Sequence, residues 1–461
     1  MKHKILSVVF FLAFITGSFA QGPAFHIKYS EQLAVFVFVQ NLSDNTPDNP
    51  FKTEFKLSKY NTAYYKGLIA EFDTLAIDYT YQFPEYPYGS KLPGMTVELI
   101  KKNLISTDNL SEFKSQTAGL VPNGPLLRLA FILSEFTPVY NELIYTPNKK
   151  QFESQLAGLI SYSAREDISK YFNSGLIFYH SEWDSSIPFE IAFYPLPNSK
   201  GFTAQAFYNN FISAIQTDMT DYQSLFSVMM HEIFHILYDE QPLGFKKELN
   251  RFFRDNTSQN SIYAYLLLNE ALATAMGNGY VFEKLDGKPD PNDWYNAKYI
   301  NLMAKQVYPL VIKYIDQKKP IDKTFVDEYI KIYDREFPGW INEMDNLMTY
   351  RYMLSEKFAD FNTLRQLYRR RSLSEEDDEI TEKSIDKMME TPITKIIIVS
   401  KDHDAKLSMI ARKFPELKKW KYRAQEEFEY TTLLNDKTRL FIINQKKTPL
   451  ETLIKNIKIE N

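Results

Sequence analysis

Cysteine is absent from all 461 residues, and that one gap removes several kinds of chemistry. No disulfide framework, thiolate-bound zinc or thiol nucleophile is available, so any metal must be held by histidine and carboxylates. Histidine is itself scarce, with 6 copies. No basic stripe interleaved with aromatics is present to track a phosphate backbone, and the formal net charge is −4, so no nucleic-acid partner is expected. A glycine-rich nucleotide loop and a P-loop are both missing. Beyond residue 20 no apolar run reaches the length needed to span a bilayer, so the mature chain is expected to carry no membrane span. What the chain does have is ordinary core material. Hydrophobic residues make up 44% and charged residues 24%, the balance of a folded globular protein. Its 35 Phe and 31 Tyr supply rings for cores and clefts.

The first twenty residues combine a basic start (Lys2, His3, Lys4), an apolar run from Ile5 to Ile15, and small residues Ser18 and Ala20 flanking Phe19. That is the layout of a signal peptide cut after Ala20, which implies a secreted or periplasmic protein starting at Gln21.

Patterning along the rest predicts an α+β chain. Residues 21–173 read as mostly helical, with Gln32 to Gln40 either a buried strand or a short buried helix. Pro122, Pro125, Pro138 and Pro147 are expected to mark helix boundaries. The Tyr/Pro-rich stretch Tyr79 to Pro93 reads as a loop, first as a packed surface loop and second as the lining of a binding surface. Gly175 to Tyr179, Pro188 to Tyr194 and Phe202 to Phe207 read as strands of a small mixed sheet opening a core over 174–370. The charge-rich segment 371–392 reads as a linker or a solvated helix. Residues 393–461 form a predicted βαββα tail, led by the β-branched run Ile393 to Ser400.

The chemistry lies in the core. Thr220 and Gln223 form a capping-box pattern that starts a helix near Asp221. Leu225, Phe226, Met229, Ile233, Phe234, Ile236 and Leu237 then give that helix a wide apolar face. On it His231 and His235 stand four apart, so their rings lie on one side and can converge on a single ion. Glu232 is rotated by about 100° from His231, outside the ligand set but within reach of a water on the metal. Catalytic zinc takes three protein ligands and keeps a fourth position open. Glu270, in the Ala-rich apolar segment Leu268-Asn269-Glu270-Ala271-Leu272-Ala273-Thr274, is the expected third ligand, because a carboxylate buried there is costly unless coordinated. The competing reading makes His231 and His235 satisfied core histidines and Glu270 a helix-end carboxylate. His180 and His403 read as surface or packing residues.

The pair HEIFH and LNEALAT resembles the gluzincin clan of zinc peptidases, the thermolysin and aminopeptidase N type. In that clan HExxH is followed on a later helix by Asn-Glu-x-x-Ala/Ser. His231, Glu232 and His235 match the first motif; Asn269, Glu270 and Ala273 match the second. The resemblance covers about sixty residues, Asp218 to Tyr280. It implies a zincin-like metallopeptidase core, Zn2+ held by His231, His235 and Glu270, a peptide or protein substrate, and Glu232 as general base and then acid on the zinc-bound water. Two departures stand out. Thr274 occupies the place where thermolysin-like members carry an Asp that orients a zinc-binding His, which leaves the partner of each ligand His open. The Gly-Ala-Met-Glu-Asn type of exopeptidase motif is missing, so the specificity is endopeptidase-like or unassigned. Such sites usually add a tyrosine or histidine donor for the developing oxyanion; Tyr263, Tyr280, Tyr295, Tyr299 and His180 are candidates, but each reads first as a packing residue and none is assigned. The strand Phe202 to Phe207 is either a core strand or an exposed edge for an extended peptide. Two other functions fit the motif: a catalytically silent secreted binding protein, and a zinc hydrolase of non-peptide amides or esters.

Overall fold

The computed structural model describes residues 22–197, 204–457 and 459; the expected signal peptide, residues 1–20, lies outside them. The chain is a mixed α and β protein of the α+β class, with two main sheets and a large helical layer. Among the described residues no helix is long and apolar enough to cross a membrane.

The first sheet has the order β1 (Phe25–Tyr29), β4 (Phe189–Leu196), β6 (Asn210–Gln216), β5 (Ala204–Phe207), with β1, β4 and β6 parallel and β5 antiparallel at the edge. Alternation along β4 and β6 divides two cores. Phe189, Ile191, Phe193, Phe211 and Ile215 face the helices that carry the site, while Ala192, Tyr194, Leu196, Ile212 and Ala214 face the N-terminal helices. A two-residue ribbon, β2 (Thr80–Tyr81) with β3 (Gly94–Met95), ties the ends of the Tyr/Pro-rich loop. Gly94 is required there, because a Cβ would run into the Tyr81 ring.

The second sheet runs β10 (Phe428–Leu433), β11 (Arg439–Asn444), β9 (Thr394–Val399), β7 (Tyr350–Ser355), β8 (Leu373–Asp377). Only β10 is antiparallel. β9 is central and buried along its whole length, which suits its apolar run Ile396 to Val399; the buried Lys395 is paired with Asp436 at 2.8 Å. Ile396 and Ile398 point into the same core as the site helices, and Ile397 and Val399 into a separate core below. The sheet holding the C-terminal segment thus recruits β7 and β8 from before residue 393.

Several local expectations are corrected or decided between their alternatives. Of residues 371–392, expected as a linker or a solvated helix, Glu382–Glu390 is a helix and Leu373–Asp377 is strand β8; the charges are tolerated because β8 is an edge strand whose Glu376 pairs with Arg365. Gly175 to Tyr179 is the end of a helix, Ile168–Tyr179, and not a strand. Gly175 lets that helix lie against the His-bearing helix, since a Cβ there would meet Phe234 at 2.7 Å and Leu237 at 2.8 Å. Gln32 to Gln40 belongs to a buried helix, Glu31–Leu42. Pro122 caps the helix Asn123–Tyr140, Pro125 is its third residue, and Pro147 is the second residue of Thr146–Arg165, all at helix starts as expected, but Pro138 lies inside Asn123–Tyr140. A π-helical turn at Asn141–Tyr145 absorbs the irregularity between the two helices.

The tight contact at Gly175 yields a stability test. Gly175→Ala is expected to lower unfolding free energy by about 1–3 kcal/mol through overpacking, despite alanine's better helix propensity. Urea unfolding followed by circular dichroism measures it; an unchanged or higher midpoint would contradict the tight-contact account.

Candidate metal centre

The His-bearing helix spans Tyr222–Asp239. Its N-cap is Asp221, one residue past the expected Thr220, and the Asp221 carboxylate accepts from the Ser224 backbone N–H at 2.9 Å. All seven apolar residues expected on its inner face are buried. The second helix, Ser261–Thr274, continues into a π-helical turn, Ala275–Val281. That turn presses on the first helix where His231 sits. A Cβ at Gly277 would lie 2.6 Å from His231 Cβ and 2.7 Å from its Cα, and the Ser227 hydroxyl donates to the Gly277 carbonyl at 2.8 Å.

This packing brings the three expected ligands together. His231 Nε2 and His235 Nε2 are 3.0 Å apart, and Glu270 Oε2 is 3.6 Å from His235 Nε2. One donor atom from each lies within 4.8 Å of the others. His231 is buried, and Glu270 Oε2 is buried without a hydrogen bond. Two imidazole nitrogens and an orphaned carboxylate oxygen aimed at one point form a set that can hold a metal ion.

The electrostatics describe the same need for positive charge. Burial and the neighbouring His235 push His231 down to about 3. Burial alone would also depress His235, but the charge of the nearby Glu270 outweighs it and raises His235 to about 9. Burial would raise Glu270, yet the attraction of His235 holds it at about 2. The cluster therefore keeps one cationic imidazole against one carboxylate, and a divalent cation would displace that proton.

Asn269 answers the question of what orients His235. Its Oδ1 lies 2.9 Å from His235 Nδ1. With Nδ1–H donated there, Nε2 is left to face the metal position. Beside His231 lie the Asn278 side chain and the Ala273 carbonyl; His231 Nδ1 and Asn278 Oδ1 are both buried without a closed hydrogen bond. Thr274 does not take the orienting role, since its hydroxyl is buried and bonds to nothing among the described residues.

Glu232 lies next to the three. Burial raises its pKa, the charge on Glu270 adds to this, and His235 and the Ala206 backbone N–H of edge strand β5 act in the opposite direction. The described part of the predicted Phe202 to Phe207 strand, β5, pairs only with β6, so it is an edge running past the site.

Among the five candidate donors only Tyr295 reaches the centre. Its ring stacks on His231, with centroids 5.9 Å apart, and Glu270 and Arg370 are the charged groups that act on its hydroxyl, which burial holds above its ordinary pKa. Tyr263 bridges to the second sheet, 3.0 Å from both the Thr394 hydroxyl and the Arg439 backbone N. Tyr280 packs on Tyr171, Tyr299 donates to Glu343, and His180 is exposed and stacked on Phe245. His403 packs against Asn444.

Sequence reasoning missed Arg370. Its guanidinium lies 5.4 Å from the Tyr295 ring centroid, adds positive potential at Glu270 and forms no ion pair among the described residues. The run Arg369 to Arg371 was its only signal, and it reads equally well as a solvated face. For the Tyr/Pro-rich loop the second of its two readings, the lining of a cleft, fits the structure. Tyr81, Phe83, Tyr86, Leu92 and Pro93 line a cavity of about 480 Å³ that adjoins His235. A larger cavity, about 650 Å³, lies among the N-terminal helices between Leu42 and Asp73, away from these groups.

Searches with protein-family models, against curated proteins and against solved structures gave no match.

Metal titration tests the ligand set. His231→Ala and Glu270→Gln are each expected to abolish stoichiometric zinc binding with unchanged far-ultraviolet circular dichroism, while Asn269→Ala weakens it by about 10–100-fold. Gly277→Ala is expected to lower both thermal stability and zinc affinity. Calorimetric titration and metal analysis read these outcomes; full zinc occupancy in His231→Ala would exclude the site.

Proposed function

We propose that the chain is a zinc-dependent hydrolase, a peptidase of the gluzincin type on a zincin-like core, with His231, His235 and Glu270 as metal ligands. The observation that carries this reading is the convergence of the three donor atoms within 4.8 Å, with Glu232 on the same helix beside them. Zinc is favoured by the chemistry of the donors, two imidazoles and one carboxylate, which match its catalytic ligand sets.

When bound, zinc supplies Lewis acidity and an acidified water. Glu232 takes a proton from the attacking water and returns it to the leaving amine. Its proton affinity is raised by burial and the nearby Glu270, against the opposing pull of His235, the direction that helps a carboxylate accept a proton before passing it on. Asn269 holds the His235 ring in one tautomer. Tyr295 and Arg370 act as positioning residues around Glu270, and the Arg370 charge offsets the cost of keeping two carboxylates, Glu232 and Glu270, in one buried cluster. Edge strand β5 offers backbone groups along which an extended peptide can lie, next to Glu232. A secreted or periplasmic location rests on the N-terminal sequence, and the mass of the exported protein would reveal cleavage after Ala20.

Glu232→Gln separates catalysis from binding. The variant is expected to retain its zinc and lose chelator-sensitive cleavage of casein or a peptide library by about 10²–10⁴-fold. Native protein that is fully zinc-loaded yet cuts no peptide would overturn the reading.

A further inference from the structure

The cavity beside His235 has a definite chemical character. One wall is the Tyr/Pro-rich loop, a second is Glu98 on the helix Thr96–Ser106, a third is Ala206, Phe207 and Tyr208, and the floor is Ile236, Asp239 and Glu240 at the end of the His-bearing helix. At about 480 Å³ it is within the size range of pockets that enclose a small ligand or a long side chain.

Its charged lining is mostly acidic. Glu98, Asp239 and Glu240 line it with one cation, Lys91, while Lys101 acts on Glu98 and Lys246 on Asp239 and Glu240 from outside the lining. Lys91 Nζ is 2.7 Å from both Asp239 and Glu240 and lies 5.5 Å from the Phe83 ring centroid. Asp239 also accepts the Leu92 backbone N–H at 2.7 Å. Glu98 has no ion pair among the described residues. The nearest lysine on its helix, Lys101, donates instead to Gln205 at 2.9 Å. The Tyr81 and Tyr208 hydroxyls, 3.0 Å apart, bond to each other, which leaves their rings to face the cavity. Lys91 therefore demonstrates, within the chain, how this environment holds an ammonium group: carboxylates at hydrogen-bond distance and an aromatic ring beside them.

We propose that this pocket receives the lysine or arginine side chain of a substrate residue adjacent to the scissile bond, with Glu98 as the group that pairs with its charge. The proposal rests on the peptidase reading given above and names the substrate class for that site. A basic side chain satisfies every wall at once. Its methylene stem covers Leu92, Pro93 and Ile236, its charged tip meets Glu98, and the aromatic rings flank it. An apolar side chain of the same length would cover Glu98, which the Met95 backbone N–H and the charge of Lys101 only partly compensate, without adding an ion-pair partner. An acidic one would bring a like charge to the carboxylates of the lining. Proximity to His235 and to edge strand β5 puts the pocket next to the atoms on which Glu232 acts.

Two measurements decide it, one of them independent of turnover. In a peptide library digested by the zinc-loaded protein, lysine or arginine is expected at one fixed position beside the cut. The ratio of kcat/KM for a lysine substrate over its norleucine counterpart should fall at least tenfold in Glu98→Gln and invert in favour of a glutamate substrate in Glu98→Lys. Apolar enrichment, or a ratio unaffected by Glu98→Gln, overturns the proposal. In the second, Nα-acetyl-lysine amide and Nα-acetyl-norleucine amide are titrated into zinc-loaded Glu232→Gln protein and followed by NMR. Preferential lysine binding that is lost on adding Glu98→Gln supports the pocket even if no peptide is ever cut, an outcome that would remove the peptidase reading alone. Equal binding of the two amides overturns it. Retained zinc content and circular dichroism in each Glu98 variant establish that the fold is intact.

Discussion

The contact between the Gly277 backbone and His231 sets the spacing on which the centre depends. Three candidate ligand atoms converge only if two helices approach more closely than ordinary side chains allow. Glycine at position 277 permits that approach, and the Ser227 bond to its carbonyl holds the register. The π-helical geometry of Ala275–Val281 then advances the chain past the His231 ring without ending the helix. Glu270 and Asn269 lie on the turns just before this point, so one close contact fixes both a proposed metal ligand and the partner of another.

That geometry explains which parts of the site were legible. The i, i+4 spacing of His231 and His235 and the anomalous carboxylate in an apolar segment are local patterns, and local patterns survive folding. Asn269 was visible as part of its motif, though its partner was not, because a hydrogen bond across two helices has no sequence period. Arg370 and the Tyr/Pro-rich loop reach the site across 135 residues or more of chain from His235 in either direction, and no spacing rule links them to it. Among the strands, β9 and the β10–β11 hairpin were readable from β-branched runs and turn residues. The helix containing Gly175 was not, because a glycine chosen for close packing looks the same in sequence as one chosen for a turn. β8 hid for a different reason: an edge strand whose charges are exposed or paired has the composition of a linker.

The second sheet is part of the same structural argument. Tyr263, about two turns before Glu270 on the same helix, bonds to Thr394 on β9 and to the backbone of Arg439 on β11. Arg351, buried at the start of β7, donates to the carbonyls of Met348 and Tyr368 and so fixes the backbone that leads to Arg370. The Ser372 backbone N–H then donates to the Thr349 carbonyl as the chain enters β8. These bonds tie the Glu270 helix and the cation beside it to one frame, so the C-terminal segment supports the centre and does not hang from it.

The pairing of β1 with β4 has a consequence for how the molecule is made. His26 and Glu190, partners across that ladder, are separated by 164 residues. At about 5–20 residues per second of synthesis, the first strand exists for roughly ten to thirty seconds before its partner does. Parallel pairing at such separation also carries a large loop-closure cost and a high contact order. The first sheet, and with it the edge strand beside Glu232, is therefore a late product of folding. Throughout that interval the N-terminal helices can pack only on one another, because the sheet that divides their core from the core of the His-bearing helix has not yet been made.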